Sequence, residues 1–190
     1  AVTCLPTVTG KWPVRGGGAF YNNRDIYAGT FDQTLIQGLD VKNPAVRMLD
    51  MSRIGPVLVG EDAVVKQGPP VTAMIVQNTN PAVVAPETMK VHAGVRREDF
   101  FLCVHEQFMT DTAKFADIVL PATMFLEHDD IYSSGGHGHF HFAPKAIDGP
   151  AGCRSNHYVL SELARRLGST HRGFQMSELE IIDETLTTAG

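Results

Sequence analysis

What this sequence lacks sets the first limits on its role. It contains no run of about twenty consecutive apolar residues, the length a helix needs to cross a bilayer. Its N-terminus does not place a basic region ahead of an apolar one, so no secretory signal is expected. The expected location is the cytoplasm. Because the chain begins at Ala1 rather than Met, as a processed or excised piece would, a periplasmic parent stays open. Cysteine is scarce: Cys4, Cys103 and Cys153 stand far apart, with no C-x-x-C pair. That argues against an iron–sulfur cluster or a structural zinc site within this segment, and against a disulfide framework. Cys103, set in an apolar run, reads as a small core residue. Basic residues are in the minority, 16 against 21 acidic, and a net charge of -5 gives no footprint for nucleic acid.

What is present is the composition of one ordinary globular domain, 190 residues of which 43% are hydrophobic. Three parts can be told apart: a turn-rich leading segment over 1–30, a core over 71–141 and packing helices over 155–190. The chain is organised around residues 71–81, VTAMIVQNTNP, and 100–130, which open FFLCVHEQFMTDT. Each begins as a short apolar, β-branched run and ends abruptly in hydrogen-bonding side chains, as a buried strand does when it delivers a loop to a ligand. Between them a candidate helix starts at Pro86 and Glu87, runs through His92 and is ended by Gly94. Such a strand–helix–strand unit crosses over right-handedly, which sets the two strands parallel and their ligand-facing ends together.

The exit of the first strand, Gln77-Asn78-Thr79-Asn80-Pro81, concentrates amides and a hydroxyl. Asn side chains offer donors and acceptors and tolerate left-handed backbone, so they can either fold the turn or bind a ribose, phosphate or base. The second strand ends at Val104-His105-Glu106, ahead of Thr110, Asp111 and a helical turn over 112–117. A carboxylate there can accept the paired N1–H and N2–H₂ donors of guanine. The alternative is a solvated strand-end charge at Glu106, with Thr110 or Asp111 capping the turn.

Elsewhere Leu35, Ile36 and Leu39 suit a short helix stopped at Gly38–Asp40, and a second follows Asp50 or Ser52 and ends before Gly60. Residues 118–121 read as a short buried strand with Pro121 at its end. His137, His139 and His141 alternate, and with His128 or Asp130 they could form a four-ligand zinc set or an open hydrolytic site. The alternative is a glycine-loosened surface strand with solvated imidazoles. Helices are expected from Ser155 or Asn156 to Leu167, and from Ser177 onward.

The run VHEQFMTDTAKFADIVLPATMFLEH resembles a segment of the molybdopterin oxidoreductases, the dimethyl sulfoxide reductase and formate dehydrogenase superfamily. That segment reads V-x-[DE]-x-F-x-T-x-T-A-x-x-A-D-[IV]-[IV]-L-P-x-x-x-x-x-E, and here Glu106, Phe108, Thr110, Thr112, Ala113, Ala116, Asp117, Leu120, Pro121 and Glu127 fill its places. IVQNTNP, over 75–81, is similar to the strand and N-P turn that precede it. Pro13-Val14-Arg15-Gly16 is similar to a P-V-R-G stretch that lies near the pterins and metal in formate dehydrogenase-like members, where an arginine can stabilise negative charge. The family's E-x-x-G-T-x-x-N-x-E-G-R loop is matched only at Glu127 and a glycine-rich turn at Gly135-Gly136, so none of its contacts is carried over.

The resemblance implies an α/β fold, Rossmann-like and three-layered with a mostly parallel sheet, as part of a larger multi-domain molybdenum or tungsten oxidoreductase. It implies a bis(molybdopterin guanine dinucleotide) cofactor whose guanosine end is held by Asn78, Thr79, Asn80 and Glu106, with Thr110 assisting and Arg15 near the metal. The metal ligand and any iron–sulfur cluster would belong to the rest of the parent chain, alongside a small-molecule substrate and an electron-transfer subunit. The competing expectations are a zinc-dependent hydrolase using His128, His137, His139 and His141, and a nucleotide-binding module without chemistry.

Overall fold

The computed structural model describes residues 4–18, 32–63, 65–133 and 137–187. In chain order its helices are α1 (Leu5–Val8), α2 (Thr34–Gln37), α3 (Ile54–Leu58), α4 (Pro81–Val84), α5 (Thr88–Val95), α6 (Asn156–Arg166) and α7 (Glu178–Thr187). The strands are β1 (Ala73–Gln77), β2 (Phe101–Glu106), β3 (Ile118–Pro121), β4 (Asp130–Ser133) and β5 (Phe140–Ala143). β1, β2 and β3 form a parallel sheet in that order, and β4 and β5 pair as an antiparallel hairpin. The α/β class and the parallel sheet are as expected.

Register divides the sheet into two faces. Met74 pairs with Leu102, and Val76 with Val104 and then Val119, so these side chains share one face. They pack on Leu58 of α3 and on Val91 and Val95 of α5, with Phe100 and Ala113 closing the cluster. Val91, Leu102 and Val104 are fully buried. Burial of an aliphatic side chain of this size contributes about 1.5–3 kcal/mol, so this layer supplies the chief apolar stabilisation of the sheet. The opposite face carries Ala73, Ile75, Gln77, Phe101, Cys103, His105 and Ile118. On this face Cys103 and His105 are buried, the latter against the Arg154 carbonyl, whereas Ile75, Phe101 and Ile118 are exposed.

The crossover from β1 to β2 departs from expectation in detail. Pro81, not Pro86, sits in the first turn of a helix, so the N-P turn leads directly into α4. Pro86 lies in the bend that follows, and Glu87, at φ 53, redirects the chain into α5. Gly94 does not stop α5 but lies inside it. A Cβ there would stand 2.3 Å from Leu58 Cβ, so the missing side chain is what lets α5 press against α3. Arg97 fastens the end of the crossover by donating to Leu58 O at 2.6 Å and Val71 O at 3.2 Å. Its ion pair with Asp99, at 2.6 Å, holds the Asp99 carboxyl below its usual range.

Two expectations of burial fail. β3 is an edge strand with Ile118 46% exposed, not a buried one. α6 begins as expected at the Ser155 cap, whose hydroxyl accepts the Tyr158 N–H, yet none of its residues is buried and Leu160 is 42% exposed. An apolar stripe reports that a helix has a face to bury; it does not report whether the partner lies within the same segment.

Gly94→Ala should destabilise the protein by about 1–3 kcal/mol in urea unfolding, although Ala is the better helix former. Because the nearest atom is a Cβ, adding Leu58→Ala should not restore what is lost.

Candidate functional site

β1 and β2 end side by side, and the expected ligand-binding residues follow at that edge. Gln77 is the register partner of His105, so Asn78 leaves β1 at the level of Glu106. Its N–H donates to His105 O at 3.2 Å, prolonging the pairing by one step. At φ 48 the backbone then turns left-handed, a conformation Asn adopts more readily than most residues. The turn leaves the side chains of Asn78 and Thr79 exposed. Glu106, by contrast, is 9% exposed, and its Oε1 accepts the Gln107 N–H at 2.7 Å. A carboxylate offers about four acceptor positions, so this bond leaves capacity for a planar donor pair.

Asn80 and Thr110 are drawn into the scaffold of the same lip. Asn80 Oδ1 accepts from the Thr112 N–H at 3.0 Å and from the Thr112 hydroxyl at 2.7 Å. That hydroxyl accepts in turn from the Ala82 N–H, at 3.0 Å, in the first turn of α4. Thr110 Oγ1 accepts the Ala113 N–H at 3.2 Å, a local bond at the start of the 3-10 turn Ala113–Phe115 and close to one of the alternatives left open by the sequence, although Thr112 holds the N-cap position.

Two residues at the lip were not singled out from the sequence, His105 and Thr112, and both are fully buried. His105 Nε2 lies 3.1 Å from Arg154 O, which can only accept, so the ring proton sits on Nε2. Nδ1 then accepts from the Gln77 amide Nε2 at 3.3 Å. The signal was present for Thr112, which fills a place in the family motif, but its partner lies 32 residues away. His105 gave only a polar residue inside an apolar strand.

Beyond the end of β3 an open cleft of about 600 Å³ is lined by Thr123, His128, Arg154, His157, Tyr158 and Ser161, among others. Asn78, Thr79, Asn80, Glu106 and Thr110 do not line it. Gln107 connects lip and cleft, since its Nε2 donates to Thr123 O at 3.0 Å. The Ser161 hydroxyl is buried at the cleft with no hydrogen-bond partner. At the rim Lys145 and Asp148 pair at 2.7 Å, which raises the lysine and lowers the carboxyl from their usual values.

Arg15 is not brought to this edge by any described hydrogen bond. It is exposed in a tight turn whose bonds are local, such as Gly17 N–H to Val14 O at 2.7 Å. Gly17 is needed there for space, because a Cβ would fall 2.1 Å from the Lys11 carbonyl oxygen. Residues 19–30 of the leading segment and the Gly135-Gly136 turn lie outside the described residues. The histidines sit on and before β5, with His137 and His141 Nε2 atoms 3.0 Å apart. His128 is engaged separately, its Nδ1 2.8 Å from Thr123 Oγ1. Among the described residues no set of three or more His, Cys, Asp or Glu side chains converges to hold a metal. The four-ligand zinc arrangement therefore does not form there, because the alternation places imidazoles near one another without bringing in the carboxylates or His128.

Thr112→Val should cost about 1–3 kcal/mol, because it leaves the Asn80 oxygen and the Ala82 N–H short of a partner in a buried setting. Thr112→Ser, which keeps the hydroxyl, should recover most of that in urea unfolding, and amide exchange at Ala82 should rise only in the valine variant.

With this geometry in view, similarity to known proteins becomes informative. The molybdopterin oxidoreductase family model matches residues 41–166. "Probable oxidoreductase YoaE" of Bacillus subtilis is 37% identical over 97% of this chain and 26% of its own length. A periplasmic nitrate reductase of Desulfovibrio desulfuricans is 36% identical over 52% of this chain and 13% of its own. The acetylene hydratase of Pelobacter acetylenicus superposes with a TM-score of 0.60 over 85% of this chain and 22% of its own, at 22% identity, which shows a shared fold. The chain thus spans about a quarter of the length of curated relatives that it matches over nearly its whole length. A parallel sheet ending in a polar lip, and a family match over about two thirds of its residues, place this chain in the molybdopterin oxidoreductase family.

Proposed function

We propose that this segment is one part of a larger, multi-domain molybdenum or tungsten oxidoreductase, and that its lip holds the guanosine end of a molybdopterin guanine dinucleotide. The observation that carries the reading is the nearly buried Glu106 carboxylate beside the exposed, left-handed Asn78 turn. Glu106 is the acceptor for the paired guanine donors, and a carboxylate in restricted solvent makes such bonds stronger than a neutral acceptor would. Asn78 and Thr79 offer donors and acceptors to the ribose or phosphate, while Asn80 and Thr110 hold the loops that carry them.

The residues present fit such a group. The lip is contiguous with the cleft through Gln107 and Thr123, and the partnerless Ser161 hydroxyl suits a polar ligand there, since buried polar groups rarely go unsatisfied. When bound, the cofactor supplies the oxygen-atom or electron transfer, and this segment supplies binding and orientation. The ligand to the metal, the iron–sulfur cluster, the substrate pocket and an electron-transfer subunit belong to the remaining domains and partners in this reading. Arg15 is kept as a residue for the metal end only through the P-V-R-G likeness.

Calorimetric titration with GMP and GDP, against AMP and ADP, tests the reading. Guanine nucleotides should bind more tightly, and Glu106→Gln should weaken them by about tenfold or more, the scale of one charge-assisted hydrogen bond, while adenine nucleotides change little. Equal binding of both bases, or no effect of the substitution, would remove Glu106 from the assignment. Binding of guanine nucleotides by a full-length protein that carries no molybdenum or tungsten would favour the non-catalytic module instead. Stoichiometric zinc in the purified protein would revive the hydrolase.

A further inference from the structure

The alternating histidines have no part in the lip or in the cleft beside it. His137 and Gly138 form a bend ahead of β5, and His141 is the second residue of that strand, opposite Tyr132 of β4. His137, His139 and His141 are all exposed. The bend folds His137 back toward His141, so that their Nε2 atoms are 3.0 Å apart. The two ring centroids are 4.7 Å apart and the planes are inclined at 61°. A straight N–H···N hydrogen bond of this length would set the centroids about 5.3 Å apart, so the contact is bent.

We propose that His137 and His141 chelate, through their Nε2 atoms, a divalent transition-metal ion of tetragonal preference, copper(II) foremost. Metal–imidazole bonds of about 2.0–2.1 Å place two nitrogens about 2.8–3.0 Å apart at a right angle, and about 3.3–3.4 Å apart at the tetrahedral angle. The ring centroids then fall about 4.5 Å and about 5.2 Å apart, respectively. The observed 3.0 and 4.7 Å both lie nearer the right angle. That is the arrangement of copper(II) and nickel(II) among nitrogen ligands, whereas zinc favours the tetrahedron. Copper(II) leads because the affinity of nitrogen sites for first-row divalent ions peaks there. His139 does not join the pair: its ring centroid is 5.6 Å from that of His137, and among the described residues no three such side chains converge. The remaining equatorial positions go to water. One bond yields on ligation. His137 Nδ1 accepts the His139 N–H at 3.2 Å, which in the neutral ring puts the proton on Nε2. Coordination moves that proton to Nδ1 and releases the His139 N–H to solvent.

The site uses neither His128, whose Nδ1 is engaged by Thr123 at 2.8 Å, nor any residue of the lip, so it stands apart from the cofactor reading and from the hydrolase. The experiment titrates copper(II), nickel(II) and zinc chlorides separately into the full-length protein by equilibrium dialysis, and records the paramagnetic resonance spectrum of the copper sample. The expected result is one copper equivalent bound at least tenfold more tightly than zinc, with an axial spectrum coupled to two imidazoles. His137→Ala and His141→Ala should each weaken that equivalent at least tenfold and leave coupling to one imidazole, while His128→Ala changes neither readout. His141→Gln, which puts an amide in place of the imidazole, should behave as the alanine variant does. Both substituted positions are exposed, and an unchanged urea midpoint shows that the variants are folded. Copper binding that survives both single substitutions, or is lost in His128→Ala, overturns the proposal. So does zinc bound as tightly as copper, or a copper spectrum without imidazole coupling.

Discussion

The Thr112 hydroxyl donates to Asn80 and accepts from the Ala82 N–H, and the architecture of the lip follows from that arrangement. Parallel strands cannot be joined by a tight turn, so the loops leaving β1 and β2 have no covalent reason to stay together. The Asn80–Thr112 contact supplies the missing connection in a place from which water is excluded, where a hydrogen bond is strong and its loss is costly. It fixes the start of α4 against the loop that ends at the 3-10 turn, and both loops then leave the sheet at defined heights. Asn78 and Glu106 are side by side because the register sets their level and this bond stops their loops from parting.

Strand ends and turn chemistry were readable along the chain because each depends on neighbours in sequence. The apolar run before Gln77 and the left-handed tolerance of Asn78 are of that kind, as are the Ser155 cap and the turn at Gly38. What was not readable depends on residues distant in sequence. Gly94 looked like a helix terminator, and only the nearness of Leu58 shows that its role is space. Pro86 and Pro81 carry the same local preference, and only Pro81 stands next to a residue anchored across the lip, Asn80 to Thr112. Asn80 and Thr110 were each open to a ligand-facing or a turn-holding role; the local Thr110 bond was among those alternatives, whereas the partner of Asn80, 32 residues away, could not be read from its neighbours.

Membership of the family constrains the segment's role more than its reaction. One relative is named for nitrate reduction, another only as a probable oxidoreductase, and a solved protein of the same fold is named a hydratase. A fold shared among proteins with such different names is a frame on which sites are placed, and the chemistry must be argued from the rest of each protein. In this chain the part that can be argued is a lip, the cleft next to it and the link between them at Gln107.

The ring proton of His105 has a further consequence. With Nε2 committed to the Arg154 carbonyl, Nδ1 can only receive, and the Gln77 side chain has to meet it through its NH₂ group. The amide is thereby oriented without reference to any ligand. Its oxygen is the end turned away from the imidazole, one residue ahead of Asn78. A lone pair of known direction is therefore built into the mouth of the sheet, set by a carbonyl 49 positions downstream of the histidine.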